Sequence, residues 1–191
     1  MSQPRFYTSL PLQINQETRL PEVAAHHASR VLRMQPGDLL TLFNGDGCEY
    51  AGEIVAINKK NMSAIITAKH DINRESLLDV VLIQGISSGE RMDYTIQKAV
   101  ELGVNRIIPV ISERSVVRFA GDRSEKRLRH WRQIVISACE QCGRNRLPEI
   151  VVPQTFQKWL EESDITGISW IFVPEESGRL RDQPRPLGLV T

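Results

Sequence analysis

Short apolar segments separated by turn residues make up the first third of the chain. Several of them alternate apolar and polar positions, which is the pattern of half-buried β-strands. Two of these segments are joined by Asn44-Gly-Asp-Gly47, whose residues tolerate the positive φ angles of hairpin turns. The pattern predicts a small antiparallel β-barrel or sandwich, with a short helix over residues 21–32 and strands at residues 5–7, 39–43, 49–57 and 62–68.

Beyond a polar stretch at residues 71–76, strands alternate with longer helices, and we place a domain boundary in that stretch. The helices are predicted from apolar residues three or four positions apart, such as Met92, Ile96 and Ala99. This alternation is typical of a mainly parallel sheet covered by helices. The predicted helices cover residues 91–102, 123–142 and 155–162, and the predicted strands cover residues 80–83, 106–110, 169–173 and 186–191.

The first and last of these strands carry further expectations. Residues 80–83 are an unbroken apolar run, so we expect this strand to be buried on both faces of the sheet. Parallel sheets bind ligands in the loops that follow the carboxyl ends of their strands. Because the sequence ends at Thr191, directly after a predicted strand, we interpret it as a chain that stops inside its own ligand site.

Composition adds a local charge bias to this picture. The chain has 191 residues, 41% of them hydrophobic and 25% charged, so we expect a packed core rather than extensive disorder. The net charge is only +1, but residues 111–150 carry nine Lys or Arg against five Asp or Glu. A basic face of this kind can hold phosphates even on a protein that is nearly neutral overall.

Several classes of protein are disfavoured by what the sequence lacks. Cys139 and Cys142 have CxxC spacing, but no second pair or histidine motif completes a metal site, so we expect no metal and two core thiols. Neither a dinucleotide fingerprint, a P-loop nor a GxSxG motif is present. The chain shows no apolar leader and no run of membrane-spanning length, so we expect a cytoplasmic protein without a membrane.

Arginines follow several of the predicted elements. Arg91 comes after the first strand of the second part, and Arg114 and Arg118 come after the next strand. Arg144 follows the long helix, which Gly143 should terminate. We expect these arginines to converge at one end of the sheet, where they could bind phosphates and base edges. A solvated basic face is the alternative for the long helix.

A second basic segment lies in the first part of the chain. His26 and His27 are adjacent, so they point in different directions on a helix and make a poor metal site. Arg30 and Arg33 follow on the same short segment. The segment is either an ordinary polar surface or a contact for RNA phosphates and bases, and the residues alone leave both open.

Four stretches of the chain are long enough to be specific for a family. They are His26-His-Ala-Ser-Arg-Val-Leu-Arg33, Gly89-Glu-Arg-Met-Asp-Tyr-Thr-Ile-Gln-Lys-Ala-Val-Glu-Leu-Gly-Val104, Glu113-Arg-Ser-Val-Val117, and Trp131-Arg-Gln-Ile with Ala138-Cys-Glu-Gln-Cys-Gly-Arg144. In this order and spacing they resemble the RsmE family, the 16S rRNA (uracil-N3)-methyltransferases of the SPOUT superfamily. The resemblance covers essentially the whole chain.

The resemblance implies an α/β fold class with an N-terminal β-barrel. Residues 1–72 would form a PUA-like, RNA-binding barrel, and residues 73–191 a SPOUT-type domain with a trefoil knot. The knot is expected to be incomplete here, because the family's glycine-rich loop would follow Thr191. The resemblance also implies S-adenosylmethionine as cofactor, 16S rRNA of the small ribosomal subunit as substrate, and a homodimer that shares its active site.

The resemblance also suggests roles for particular residues. Arg114 and Arg144 are candidates for stabilising charge on the uracil carbonyls, and Glu140 could orient an arginine or accept a proton. The remaining cofactor wall would comprise Val173, Pro174, Glu175, Leu189, Val190 and Thr191. The predicted RNA contacts are Arg5, His27, Arg30, Arg33, Arg91 and Arg118.

Two other functions are compatible with the same residues. The chain could be a non-catalytic RNA-binding fragment that lacks a complete cofactor pocket. It could also be an α/β nucleotide-binding enzyme unrelated to RNA. Calorimetry with S-adenosylmethionine would separate an enzyme from a binding module.

Overall fold

The computed structural model describes residues 3–58, 60–112, 122–163, 168–172 and 182, with the backbone alone at residues 122 and 123. Contacts divide the chain into two compact units. The first comprises Met1–Glu75 and Val135–Leu147, and the second comprises Ser76–Ile134 and Pro148–Thr191. The sequence did not predict that residues 135–147 would join the first unit. The domain boundary at residue 72 stays a prediction.

The first unit contains a five-stranded sheet with the order β1-β3-β4-β5-β2. Strand β1 pairs in parallel with β3, and the other neighbours are antiparallel. The prediction of a small, mainly antiparallel β-structure is therefore confirmed. The strands are Arg5–Tyr7 (β1), Glu17–Leu20 (β2), Leu39–Phe43 (β3), Glu49–Ile57 (β4) and Met62–His70 (β5).

The predicted hairpin turn joins β3 to β4. Gly45 and Gly47 have φ angles of 93° and 97°, a region that L-residues with a side chain rarely adopt. The side chain of Asp46 organises the turn, since it accepts hydrogen bonds from the Cys48 N–H at 2.8 Å and from the Tyr50 hydroxyl at 2.6 Å. Alternate positions of the strands then meet in one core, which includes Leu40, Leu42, Ile54, Ala64 and Ile66.

A short helix packs on this core, as predicted. Helix α1 covers Glu22–His26, directly after Pro21, and continues as one π-helical turn over His27–Val31. Strand β2 was not predicted, because it is only four residues long and two of them, Glu17 and Arg19, are charged. Its alternating burial becomes visible only through its pairing with β5.

The second unit is a parallel sheet with helices in the connections. The strands follow the order β6-β7-β8, and β9 also pairs with β7. The predicted parallel sheet and the predicted apolar stripe of the first helix are confirmed, since Met92, Ile96 and Ala99 are buried. The elements are Val81–Gly85 (β6), Glu90–Glu101 (α2), Arg106–Ile111 (β7), Asp122–Cys142 (α3), Glu149–Ile150 (β8), Gln154–Thr155 (β9) and Phe156–Glu162 (α4).

Two predictions about strands in this unit are wrong. Strand β6 is not buried on both faces, because Val81 and Ile83 are 39% and 37% exposed; in the described part of the chain, β6 is an edge strand with β7 as its neighbour. Residues 168–172 do not form the predicted strand. Residue 173 and the last predicted strand lie outside the described residues.

Helix α3 contributes to both units. Its residues up to Ile134 are assigned to the second unit and those from Val135 onward to the first. Gly143 ends the helix as predicted, with a φ angle of 88° and its N–H donating to the Cys139 carbonyl at 3.0 Å. Among the residues with assigned structure, no helix has both the length and the apolarity needed to span a bilayer.

Candidate nucleic-acid interface

The basic segment of the first unit is exposed because small residues hold its opposite side against the sheet. Ala24, Ala25 and Ala28 are buried in the core of the unit. Their methyl groups let the helix backbone lie close to the strands, so the other face of the segment points to water. His26, His27, Arg30 and Arg33 are all exposed there.

The backbone at the end of this segment is unusual. The Leu32 N–H donates to the His27 carbonyl at 3.1 Å, which closes the wide π-helical turn. Arg33 then has a φ angle of 55°, in the left-handed region where a non-glycine residue costs about 1–2 kcal/mol. Met34 is buried and donates its N–H to Ala28 at 2.9 Å, which fixes the reversal. Isolated π-turns and strained residues cluster at functional sites.

Within the described part of the chain, the side chains of Arg30 and Arg33 form no ion pair or hydrogen bond. No carboxylate of the described residues neutralises their guanidinium groups, so these groups are candidates for binding an outside anion. The His27 ring is held by Phe6, with an edge-to-face contact of 6.1 Å between ring centroids. The structure thus brings three of the predicted RNA contacts together on one exposed segment.

Arg5, another predicted RNA contact, is engaged inside the first unit. Its side chain is only 14% exposed and forms an ion pair with Glu49. The same guanidinium donates to the Gly143 carbonyl at 3.2 Å and to Asn145 Oδ1 at 2.7 Å, and it lies 5.1 Å from the centroid of the Phe43 ring. Contact of Arg5 with RNA stays a prediction, and in this structure its donors bind the turn after α3.

Glu49 is the centre of this network. One of its carboxylate oxygens accepts hydrogen bonds from both Arg5 and Arg74. Arg74 also donates to the Gly143 carbonyl at 3.3 Å, so two cations cap the carboxyl end of α3. Burial acts to raise the pKa of the Glu49 carboxyl, but the hydrogen bonds from Arg74 and Arg5 outweigh it and the pKa lies below its usual value.

Arg144, a predicted catalytic residue, is buried in the same region. Its side chain is 6% exposed and pairs with Glu75, to which its Nε donates at 3.1 Å. The next residue, Asn145, donates from Nδ2 to the Ile72 carbonyl at 2.9 Å. Glu75 therefore fixes the orientation of the Arg144 guanidinium. A catalytic role for Arg144 stays a prediction.

Glu140 and Cys139 lie one turn earlier on α3. The Glu140 carboxylate accepts the Tyr7 N–H at 3.0 Å. Burial raises the pKa of Glu140, opposed by that hydrogen bond and by the charge of Arg5. Burial also raises the pKa of the Cys139 thiol to about 12, so this cysteine is an unreactive core residue. In the described ranges, no cluster of His, Cys, Asp or Glu could hold a metal ion.

The expected convergence of arginines at one end of the sheet stays a prediction. Arg91 is exposed on α2, which follows the carboxyl end of β6. Arg144 belongs to the first unit, whereas Arg91 and the parallel strands belong to the second.

Most of the remaining predicted residues lie outside the part of the chain that the structure describes. Next to Arg91, Asp93 pairs with His130 of α3 at 2.8 Å, which braces the start of α2. The other predicted arginines and the predicted cofactor wall lie outside the described residues: Arg114, Arg118, Val173, Pro174, Glu175, Leu189, Val190 and Thr191.

Sequence reasoning missed Glu49, Arg74 and Glu75. Glu49 lies 44 residues from Arg5 and 25 from Arg74, and Glu75 lies 69 residues from Arg144. No spacing pattern links residues so far apart. The one available signal was local: Arg74 and Glu75 are two charged residues within the stretch that separates the two parts of the sequence.

Comparisons with known proteins agree with the geometry. Residues 74–187 match a family model described as an RNA methyltransferase domain, and residues 20–67 match one described as an RNA methyltransferase PUA domain. A ribosomal RNA small subunit methyltransferase E from Buchnera aphidicola is 37% identical over 187 residues, which is 98% of this chain and 76% of that protein.

Solved structures give the same result. A ribosomal RNA small subunit methyltransferase E from Neisseria gonorrhoeae, bound to S-adenosyl methionine, is 40% identical, with a TM-score of 0.91. A Legionella pneumophila protein in complex with the bound cofactor S-adenosylmethionine is 38% identical, also with a TM-score of 0.91. Each alignment covers 99% of this chain and 78% of the other. The chain therefore belongs to the RsmE family of ribosomal RNA small subunit methyltransferases.

Proposed function

We propose that this protein transfers the methyl group of S-adenosylmethionine to N3 of a uridine in the 16S rRNA of the small ribosomal subunit. The observation that carries the proposal is the close match in sequence and fold to an rRNA small subunit methyltransferase E bound to S-adenosyl methionine. Because the substrate would be ribosomal RNA, we place the reaction in the cytoplasm.

We propose different functions for the two parts of the chain. Residues 1–72 would form a PUA-like barrel that binds RNA, built on the sheet of the first unit. Residues 73–191 would form a SPOUT domain with a trefoil knot, built on the parallel strands β6, β7 and β8. We also propose a homodimer with a shared active site. Size-exclusion chromatography with light scattering would measure the mass of the particle and so test the dimer.

The described residues leave open space for a cofactor at the carboxyl ends of the parallel strands. A Cβ added at Gly85, the last residue of β6, or at Gly89, the residue before α2, would meet nothing within 4 Å. Open backbone of this kind can lie against a bound nucleoside, and Ser87 and Ser88 between the glycines supply hydroxyl groups. The predicted wall at residues 173–175 and 189–191 would complete the site. When bound, S-adenosylmethionine supplies an electrophilic methyl group.

The residues of the chain would activate N3 of uracil as the nucleophile that attacks the methyl group. One proton leaves N3 and one methyl group arrives, so negative charge develops on the uracil carbonyl oxygens during the reaction. Arg114 and Arg144 are the proposed donors to those oxygens. Glu75 would keep Arg144 oriented for this contact. Glu140, whose pKa is raised by burial, is the proposed proton acceptor or orienting group.

RNA would be held by exposed basic side chains. Arg30, Arg33 and His27 lie together on the first unit, and Arg91 lies at the start of α2. Arg5 and Arg118 complete the proposed set. Such contacts to phosphates would position the substrate, while the reacting base is turned out of its stack into the site.

The experiment is methylation of small subunits, or of their isolated rRNA, that lack this modification. Product nucleosides are analysed by mass spectrometry for N3-methyluridine, with Arg144→Ala as the test variant and Arg132→Ala, an exposed arginine of α3, as its control. We expect product with the unaltered chain and the control, and a large loss of turnover with Arg144→Ala. Unchanged turnover in Arg144→Ala would exclude its role. RNA binding without any methylated product would favour the non-catalytic binding module.

A further inference from the structure

The exposed face of α1 and its π-turn combines apolar and cationic side chains. Val23 and Val31 are 70% and 64% exposed, and Leu32 is 42% exposed. Intervals of three or four residues keep side chains on one side of a helix. Four residues of this segment share such a side: Val23, His27, Arg30 and Val31. Large apolar side chains are thus interleaved with a histidine and an arginine on a surface that water covers.

This face carries more positive than negative charge. Between residues 21 and 34 the only acidic residue is Glu22, against the two cations Arg30 and Arg33. The two arginines have no acidic partner in the part of the chain that the structure describes. The charge of this face is therefore better matched by an anionic partner than by a neutral partner or by a protein surface of mixed charge.

The backbone strain at Arg33 is an independent observation. Helices commonly end with a left-handed residue, but that residue is usually glycine or asparagine. Here it is arginine, with a φ angle of 55°. A long charged side chain in a position that favours glycine is explained if the side chain itself is needed at that point of the surface.

We infer that this face binds an unpaired stretch of RNA with at least one unstacked base, rather than an RNA duplex. A duplex offers phosphates and 2′-hydroxyls, while its bases stay stacked inside, so Val31 and Leu32 would find no apolar partner. An unpaired strand offers phosphates for Arg30 and Arg33. It also offers a free base face to pack on the valine, the leucine and the ring of His27.

This inference deepens the proposed function and rests on it, because it specifies the kind of RNA that the first unit recognises. The test measures fluorescence anisotropy of the full chain with two labelled RNAs of one sequence. In the first RNA the sequence is single-stranded, and in the second it is fully paired within a hairpin. We expect the single strand to bind about tenfold tighter, at the low end of what one base stacked on an aromatic side chain such as His27 contributes.

Four variants separate the contributions. Val31→Ser should abolish most of the preference for the single strand, and Val55→Ser, a similarly exposed valine of β4, should leave it unchanged. Arg33→Gly should weaken binding of both RNAs and lower the slope of log affinity against log salt by about one, as expected for one lost phosphate contact. Arg19→Ala, an exposed arginine of β2, is the control for charge.

The Arg33→Gly variant also distinguishes recognition from a structural role. Glycine relieves the left-handed strain, so the midpoint of urea unfolding should stay the same or rise while RNA affinity falls. A fall of that midpoint with unchanged RNA affinity would show that Arg33 only supports the fold, and would overturn the inference.

The outcomes also separate this inference from the proposed function. Equal affinity for the two RNAs, or a preference that survives Val31→Ser, overturns the inference and leaves rRNA methylation untouched. Absence of binding to either RNA overturns both the inference and RNA recognition by the first unit. Loss of methylation with an intact preference for the single strand contradicts only the proposed catalytic function.

Discussion

Replacing Glu49 by Gln tests whether one buried carboxylate holds the turn after α3 in the first unit. Glu49 is 7% exposed and its side chain accepts hydrogen bonds from Arg5 and Arg74. Glutamine has nearly the same shape and keeps one oxygen acceptor. The substitution therefore removes the negative charge without creating a cavity, and it leaves two guanidinium groups facing a neutral amide.

The expected loss of stability can be worked out from these contacts. Each of the two hydrogen bonds to the charged pair contributes roughly 1.5–3 kcal/mol, and the substitution keeps the cationic donors but removes the charge of the acceptor, so the partial loss of both costs about 2–3 kcal/mol. This is below the roughly 3–5 kcal/mol lost when a fully buried pair is broken, because the Arg74 side chain is 42% exposed and water can solvate it. For a chain of this size the melting temperature should fall by about 5–10 °C.

The assay is urea unfolding followed by far-ultraviolet circular dichroism, at pH 7 and at lower pH. Glu53→Gln is the control, since Glu53 is an exposed carboxylate on the same strand. Because the folded pKa of Glu49 is lowered, its contribution is fully present above the unfolded pKa of about 4.3 and is lost as the pH falls toward the folded value. The difference between Glu49→Gln and the unaltered chain should shrink in that range. If Glu49→Gln differs from the control by less than about 0.5 kcal/mol at pH 7, the reasoning is refuted.

Three further predictions concern the end of α3. Since burial raises the pKa of Glu140 in the folded chain, its ionisation lowers the free energy of unfolding as the pH rises through that pKa. Glu140→Gln keeps an acceptor for the Tyr7 N–H, so in urea unfolding at pH 7 it should be at least as stable as the unaltered chain. A clear loss of stability in this variant would contradict the prediction. Gly143→Ala should lose about 1–2 kcal/mol in the same assay, because the φ angle of 88° disfavours a side chain while the added Cβ itself meets only ordinary contacts. Cys139 should be alkylated by iodoacetamide at pH 8 far more slowly than the partly exposed Cys48 and Cys142, as read by peptide mass spectrometry; equal rates would argue against its burial and its raised pKa.

Local patterns in the sequence were sufficient to predict most of the helices and strands. Strands β1, β3 and β4 have the predicted limits, because alternation and the hairpin residues Asn44 to Gly47 are signals within one short stretch. The buried stripe of α2 and the Thr155 cap of α4, whose Oγ1 accepts the Lys158 N–H at 3.1 Å, are local in the same sense. The family, too, could be identified from four short stretches.

Tertiary structure decided the rest, because it depends on which distant residues meet. Strand β2 has no apolar run of its own and is a strand through its pairing with β5. Within the described ranges, β6 is an edge strand despite its apolar sequence. Arg5 and Arg144 read as free cations in the sequence, but Glu49 and Glu75 bind them from positions 44 and 69 residues away. Exposure and charge pairing arise from packing across the fold. The sequence by itself therefore determined most of the elements and the family. Only the folded chain showed that Arg5 and Arg144 pair with distant carboxylates, while Arg30 and Arg33 pair with no carboxylate of the described residues.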